Sequence, residues 1–167
     1  MANSVSRIFR HIMTTPWTLK RAFSDATLEK IEATVTASER QHGGEIRFAI
    51  EAALDFGPLF AAVGARQRAL EVFSNLRVWD TEQNNGVLIY LLLADRDVEI
   101  IADRGFNDKV DAATWQQICS EMEQAFASGD FERGAVRGIE RVSAEIARHF
   151  PPNAADRDEL ANRPVIL

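Results

Sequence analysis

The sequence predicts an α/β fold: a single domain with a small mixed β-sheet, built on a βαββ unit and flanked by helices on both faces. Three observations lead there. The eight uncharged residues Val87-Leu88-Ile89-Tyr90-Leu91-Leu92-Leu93-Ala94 lie between turn-forming Asn84-Asn85-Gly86 and Asp95-Arg96-Asp97, the pattern of a strand buried on both faces. They fall well short of the roughly 20 residues that a membrane-spanning helix needs. The turn Asp95–Asp97 leads straight into Val98-Glu99-Ile100-Ile101-Ala102, close enough for an antiparallel hairpin. Glu45-Ile46-Arg47-Phe48-Ala49-Ile50-Glu51 alternates polar and apolar and reaches the central run through a helical stretch, the crossover that a parallel pair requires.

Taken in order, the chain opens with Val5, Ile8, Phe9 and Ile12 at i, i+3, i+4 and i+7, with Arg7, Arg10 and His11 between them. That is a short amphipathic helix, not the continuous apolar core of a secretion signal. A basic helix of this kind docks on its own domain, frays, or touches a membrane surface as a peripheral contact. Pro16-Trp17 is expected to end it, so residues 1–23 read as helix and linker. Ser24 then caps a helix whose stripe is Leu28, Ile31 and Val35, with Asp25 at the positive end of its dipole and Gly43-Gly44 as its stop. In the first strand, Glu45, Arg47 and Glu51 are expected on a wetted face. A loop with Gly57-Pro58 precedes a helix from about Gly64 to Leu76, with Ala65, Ala69, Val72, Phe73 and Leu76 inward and Arg66, Arg68 and Glu71 solvated. Trp79 is expected to plug the core.

Two further helices follow the hairpin. Asp111 caps the first, with Trp115, Ile118, Cys119, Met122 and Phe126 on one stripe; Ser128-Gly129-Asp130 breaks it. The second carries Ala135, Val136, Ile139, Val142, Ile146 and Phe150, and its Gly134 and Gly138 imply close approach by another backbone. Pro151-Pro152 ends it. The domain thus spans 24–150, and 151–167 is expected to be a loosely ordered tail.

Composition narrows the function classes. At 167 residues, with 46% hydrophobic and 26% charged residues, the chain suits one globular domain. Nineteen basic against twenty-five acidic residues give a net charge of −6, which argues against a nucleic-acid-binding face. The single cysteine, Cys119, has no partner for a disulfide or a zinc site, and the expected location is cytoplasmic. Asp95-Arg96-Asp97-Val98 resembles a haloacid-dehalogenase-type nucleophile motif, but only Lys109 follows it and a hairpin turn explains both aspartates. A cysteine-phosphatase loop fails because Ala125 stands where its arginine would be. His11, His42 and His149 show no ligand spacing, and no glycine-rich nucleotide loop is present.

Oxygen chemistry at the strand ends remains. Asp80, Glu82, Asn84 and Asn85 precede one strand, while Asp103, Asn107, Asp108 and Asp111 follow the other. Antiparallel pairing should bring these loops together, and clustered carboxylate and amide oxygens suit calcium or magnesium. Two polar loops and a helix cap account for the same residues without any ligand.

At these residues the chain resembles the TPM-domain family, the thylakoid-lumen acid-phosphatase-like and photosystem II repair-like proteins, and within it a soluble bacterial branch. The resemblance covers roughly Thr27 to Phe150. Its carriers are Gly44-Glu45-Ile46-Arg47-Phe48, the helix Arg66–Phe73, Trp79-Asp80-Thr81-Glu82, Asn84-Asn85-Gly86-Val87-Leu88-Ile89-Tyr90, Asp103-Arg104-Gly105-Phe106 and Phe126-Ala127-Ser128-Gly129-Asp130-Phe131. It implies a small mixed sheet with helices around it, a site at the strand-end loops, and links to acid-phosphatase activity and divalent ions. The usual pattern is Asp-Asn-Gly before the central strand and Gly-x-Gly-Leu-Glu after the next. Here Asn84, Asp103 and Asn107 stand where the Asp, the first Gly and the Glu would be. Two carboxylates have become amides, which still donate oxygen but carry no charge.

Two functions are therefore carried forward. One is a non-catalytic binding or accessory module with a polar, divalent-cation-binding strand-end site, its metal ligands drawn from Asp80, Asn84, Asn85, Asp103, Asn107 and Asp108. Its partner would be an unidentified protein, with membrane-protein quality control as the setting the resemblance suggests. The alternative is a cation-assisted hydrolase of small phosphomonoesters, with Asp80, Asp103 and Arg104 as the catalytic candidates: the aspartates on the metal, the guanidinium on the phosphate.

Overall fold

The structure, a computed structural model, describes residues 2–152 and 158–167; side chains 1–4 and 60 are outside that description. Among the described residues the elements run α1 (Ala2–Met13), α2 (Pro16–Ala22), α3 (Asp25–Glu39), β1 (Glu45–Glu51), α4 (Phe56–Phe60), α5 (Ala65–Asn75), β2 (Gly86–Leu92), β3 (Asp97–Ala102), α6 (Ala112–Ala127), α7 (Phe131–His149) and β4 (Val165–Ile166). The sheet order is β3-β2-β1-β4. β1 runs parallel to β2 and β4, and β2 runs antiparallel to β3 with Leu92 opposite Asp97, so the sheet is mixed.

β2 is buried along its whole length, as its apolar run requires. Val87, Ile89 and Leu91 pack with Ile31 and Val35 of α3, Ile118, Met122 and Phe126 of α6, and Ile139 and Val142 of α7. Leu88, Tyr90 and Leu92 pack on the other side with Ala65, Ala69 and Val72 of α5. Helices therefore cover both faces, and β1-α5-β2-β3 forms the βαββ unit. The Ser24 hydroxyl accepts from the Thr27 amide, and Asp111 Oδ1 accepts from the Ala113 amide, so both expected caps are in place.

Several local expectations are corrected. Pro16 starts a helix as well as ending one: it sits at the first position of α2, where its missing N–H costs nothing. Trp79 is about half exposed, because Arg77 takes a left-handed φ of 52° and turns the chain outward before it. The space over Gly134 and Gly138 is filled by the Phe126 and Met122 side chains of α6, not by backbone.

Glu45 and Glu51 are buried rather than wetted. The Glu51 carboxylate accepts from Arg68 at 2.9–3.2 Å and from the Tyr90 hydroxyl at 2.6 Å, so neither Arg68 nor Glu51 is a free surface charge. Arg68 also donates to Glu71 at 3.0 Å. The tail is ordered where it is described: Val165 and Ile166 pair with Ala49 and Ile50, while residues 153–157 lie outside the described residues.

Candidate functional site: a polar mouth at one end of the sheet

Two glycines let the strand-end loops lie against one another. A Cβ on Gly86 would collide with the Val78 carbonyl, and one on Gly105 would collide with the Asn84 carbonyl, to which the Gly105 amide donates at 2.9 Å. The Asp103 amide donates to the Gly86 carbonyl at 2.9 Å, extending the antiparallel ladder by one rung. Asn84 adopts a positive φ of 54°, which asparagine tolerates, and its Oδ1 accepts from Arg104 Nε at 2.8 Å. The flanks of β2 and β3 thus meet, as the antiparallel pairing dictates.

The structure separates the sequence candidates into two sets. Asn84, Asn85, Asp103 and Arg104 are drawn into the joint. Asp103 Oδ1 accepts from the Arg104 amide at 2.7 Å, whereas its Oδ2 is buried and has no hydrogen-bond partner among the described residues. Asn85 is fully buried; its Nδ2 donates to the Gly43 carbonyl at 2.5 Å and its Oδ1 is likewise without a partner. Asp80, Asn107 and Asp108 are exposed, and their side chains form no hydrogen bond among the described residues. No group of three or more His, Cys, Asp or Glu side chains among the described residues is arranged to hold a metal ion. Any cation here would depend on amide and backbone oxygens beside Asp103.

Sequence reasoning missed a second polar cavity next to this mouth, joined to it where the Asn85 amide group donates to the Gly43 carbonyl and the Glu45 amide donates to the Asn85 carbonyl. A cavity of about 220 Å³ is lined by Glu39 at the end of α3, His42, Glu45 at the start of β1, and Asp158 and Asn162 of the tail. The Glu159 and Leu160 amides each donate to the Glu45 carboxylate at 3.2 Å, and the Glu159 carboxylate accepts from the Glu82 amide at 3.1 Å, so the tail straps this cavity to the loop before β2. Burial, reinforced by the negative charges of Glu45 and Asp158, pushes the Glu39 carboxyl up to about 8. Burial also raises Glu45 to about 7, outweighing the two tail amides that favour its charge.

His42 Nδ1 accepts from the Gly44 amide at 3.3 Å, which leaves the proton on Nε2. Burial lowers this imidazole to about 4, so it is neutral across the physiological range. His42 Nε2, Glu39 Oε1 and Asn162 Oδ1 are buried without hydrogen-bond partners among the described residues. No spacing rule could flag this group, since Glu45 and Glu159 are 114 positions apart. The available signal was Glu45 itself, an acid inside a strand whose neighbours Ile46 and Phe48 are core.

The discarded motifs have structural explanations. Asp95 sits in the β2–β3 turn and is held by Arg7 Nε at 2.8 Å and Arg10 Nη2 at 3.1 Å. Burial opposes its charge, but hydrogen bonds from Arg7, Arg10 and His11 prevail and keep the carboxyl below its usual range. Burial pushes the Cys119 thiol up to about 12, which leaves too little thiolate for nucleophilic chemistry.

The chain matches the family model described as the TPM domain over residues 19–145. A search of curated proteins returned no match. Among solved structures, the BA42 protein of the psychrophilic bacterium Bizionia argentinensis is similar at 30% identity and a TM-score of 0.76, covering 87% of this chain and 95% of that one. The N-terminal domain of a P. gingivalis protein is 19% identical with a TM-score of 0.61, covering 78% of this chain and 82% of that chain. The N-terminal domain of the Corynebacterium glutamicum protein cg2496 is 12% identical with a TM-score of 0.53, covering 81% and 80%; these last two share the fold. With three quarters of its length matched by the family model and a 30%-identical relative spanning most of it, the chain belongs to the TPM-domain family.

Proposed function

We propose that this TPM domain is a non-catalytic binding or accessory module that works through the mouth formed by residues 80–86 and 103–108. One observation carries the reading: among the described residues Asp103 Oδ2 is buried without a partner, at a joint where Arg104 and Asn84 hold the loops together. A buried unpaired acceptor costs about 1–3 kcal/mol, which a donor from a partner or a bound cation would recover. The donors present are all oxygens and match calcium or magnesium in type. Asp103, Asn84 and Asn85 are the residues that would hold such an ion, with Asp80, Asn107 and Asp108 at the rim. With asparagine at 84 and 107 and the Arg104 guanidinium on Asn84, the site carries little negative charge, so affinity for a cation should be weak. A bound ion would supply charge neutralisation there.

Calorimetric titration of the metal-free protein with calcium and with magnesium tests this. Binding heat in the wild type that Asp103→Ala abolishes is the expected result. Identical titrations of the two proteins would remove the mouth as the binding site.

The hydrolase alternative rests on Arg104, whose exposed guanidinium uses only Nε in the contact with Asn84 and could take a phosphate. Phosphomonoester turnover in the presence of calcium, magnesium or manganese, lost in Asp103→Ala, would replace the binding-module reading. Background turnover in both proteins supports it.

A further inference from the structure

The first helix is docked the wrong way round for an amphipathic helix. At about 100° per residue, positions 5, 9, 12 and 13 share one side of α1 and positions 7, 8 and 11 the other. The side turned toward the domain is the polar one. Arg7 reaches Asp95 at 2.8 Å and the Val63 carbonyl at 2.9 Å. His11 is buried, accepts from the Leu54 amide at 3.0 Å through Nδ1, and lies 3.2 Å from Asp95 through Nε2. Of the apolar positions among the described residues of α1, only Ile8 packs on the core. Val5, Phe9, Ile12 and Met13 are each more than half exposed, and Trp17 of α2 joins them. A surface helix ordinarily buries its apolar stripe. Here ion pairs hold the polar side down and present the stripe outward, a patch that soluble surfaces seldom leave uncovered.

Charge indicates what covers it. Residues 1–24 hold four of the nineteen basic residues, Arg7, Arg10, Lys20 and Arg21, and none of the twenty-five acidic ones. The rest of the chain therefore carries fifteen basic residues against twenty-five acidic. Arg7 and Arg10 are answered by Asp95, whereas Lys20 and Arg21 have no carboxylate partner among the described residues. Arg21 lies 5.7 Å over the Trp17 ring, which places a cation beside an exposed indole, the pairing favoured where apolar and charged layers of a bilayer meet. A second copy of this chain fits less well, since two-fold packing across the stripe would bring two acid-free basic segments together.

We propose that α1 and the start of α2 form a peripheral docking surface for an anionic lipid bilayer, with Val5, Phe9, Ile12, Met13 and Trp17 in the acyl boundary and Lys20 and Arg21 at the headgroups. Attachment through one short helix is reversible and salt-sensitive. The site lies apart from the strand-end mouth, so either can fail without the other.

The test is co-sedimentation of the full chain with phosphatidylcholine vesicles, with and without phosphatidylglycerol, at low and high salt. The wild type should bind the anionic vesicles only and release them in high salt. Phe9→Ser with Ile12→Ser, and separately Lys20→Glu with Arg21→Glu, should each lower the partition coefficient by at least about tenfold while the thermal transition is retained, because all four side chains are exposed. In a Trp79→Phe, Trp115→Phe background, Trp17 emission should shift to the blue on adding anionic vesicles. Absence of wild-type binding at low salt, equal binding by the Phe9/Ile12 variant, or equal binding to neutral vesicles would each overturn the proposal. So would a concentration-dependent dimer that the Phe9/Ile12 variant abolishes, which would assign the stripe to a second copy.

Discussion

The two ends of β1 each carry a buried glutamate, and they are treated in opposite ways. At Glu51 both carboxylate oxygens are taken, by the Arg68 guanidinium and the Tyr90 hydroxyl, and opposite charges meet in the interior. At Glu45, among the described residues, only backbone amides answer the carboxylate, and its charged neighbours Asp158 and Glu159 have the same sign. A satisfied buried network holds a fold together, while one left short of counter-charge is retained for a reason other than stability. The first end is architecture. The second leaves atoms of Glu39, His42, Asn85 and Asp103 buried without hydrogen-bond partners among the described residues, which is the physical basis of the binding reading proposed above.

The largest expected effect lies at the closed end. Arg68→Met leaves Glu51 buried without its cation and should cost about 3 kcal/mol of unfolding free energy, read from the urea midpoint. A loss well under 1 kcal/mol would show that solvent already compensates Glu51. Tyr90→Phe removes one donor while the guanidinium remains, and should cost about half as much.

The smallest effect is a pH dependence at the open end. Glu39 and Glu45 move from an ordinary 4.5 to about 8 and about 7 in the folded chain, which therefore holds protons that the unfolded chain has released. Their contribution to stability is fully present below 4.5 and is lost as pH rises through 7 to 8. His42 works in reverse: its pKa falls from 6.5 to about 4, so stability declines as pH drops across that interval. Above 6.5 only the carboxyl contribution remains. Unfolding should therefore become easier as pH rises from 6.5 through 8, and Glu39→Gln should flatten the slope. An unchanged slope in the variant would assign it elsewhere.

What could be read from the sequence was whatever depends on neighbours in sequence. The caps at Ser24 and Asp111 formed where their residues pointed, and the apolar run formed its strand and hairpin with the turn shifted: β2 stops at Leu92, residues 93–96 turn, and Asp97 already pairs with Leu92. The convergence of Asn84 with Asp103 followed from strand direction alone. The failures are long-range. Glu45 and Glu51 alternate like a wetted face, but residues 158–160 and α5 cover that face from distant parts of the chain. Two residues of β4 give too short a signal to be called a strand, and their partner lies more than a hundred positions away. The amphipathicity of α1 was plain, whereas its reversed docking depended on Asp95, a turn residue with no sequence cue.

The parallel addition of β4 to β1 has a consequence for the nascent chain. Until residues 158–166 have been synthesised, one margin of β1 offers unpaired amides and carbonyls at Ala49 and Ile50, and the Glu45 carboxylate has no amides to accept from. A chain that lacks this segment leaves that margin open to a strand from another polypeptide, so β4 and the strap before it also act as an edge cover for the sheet.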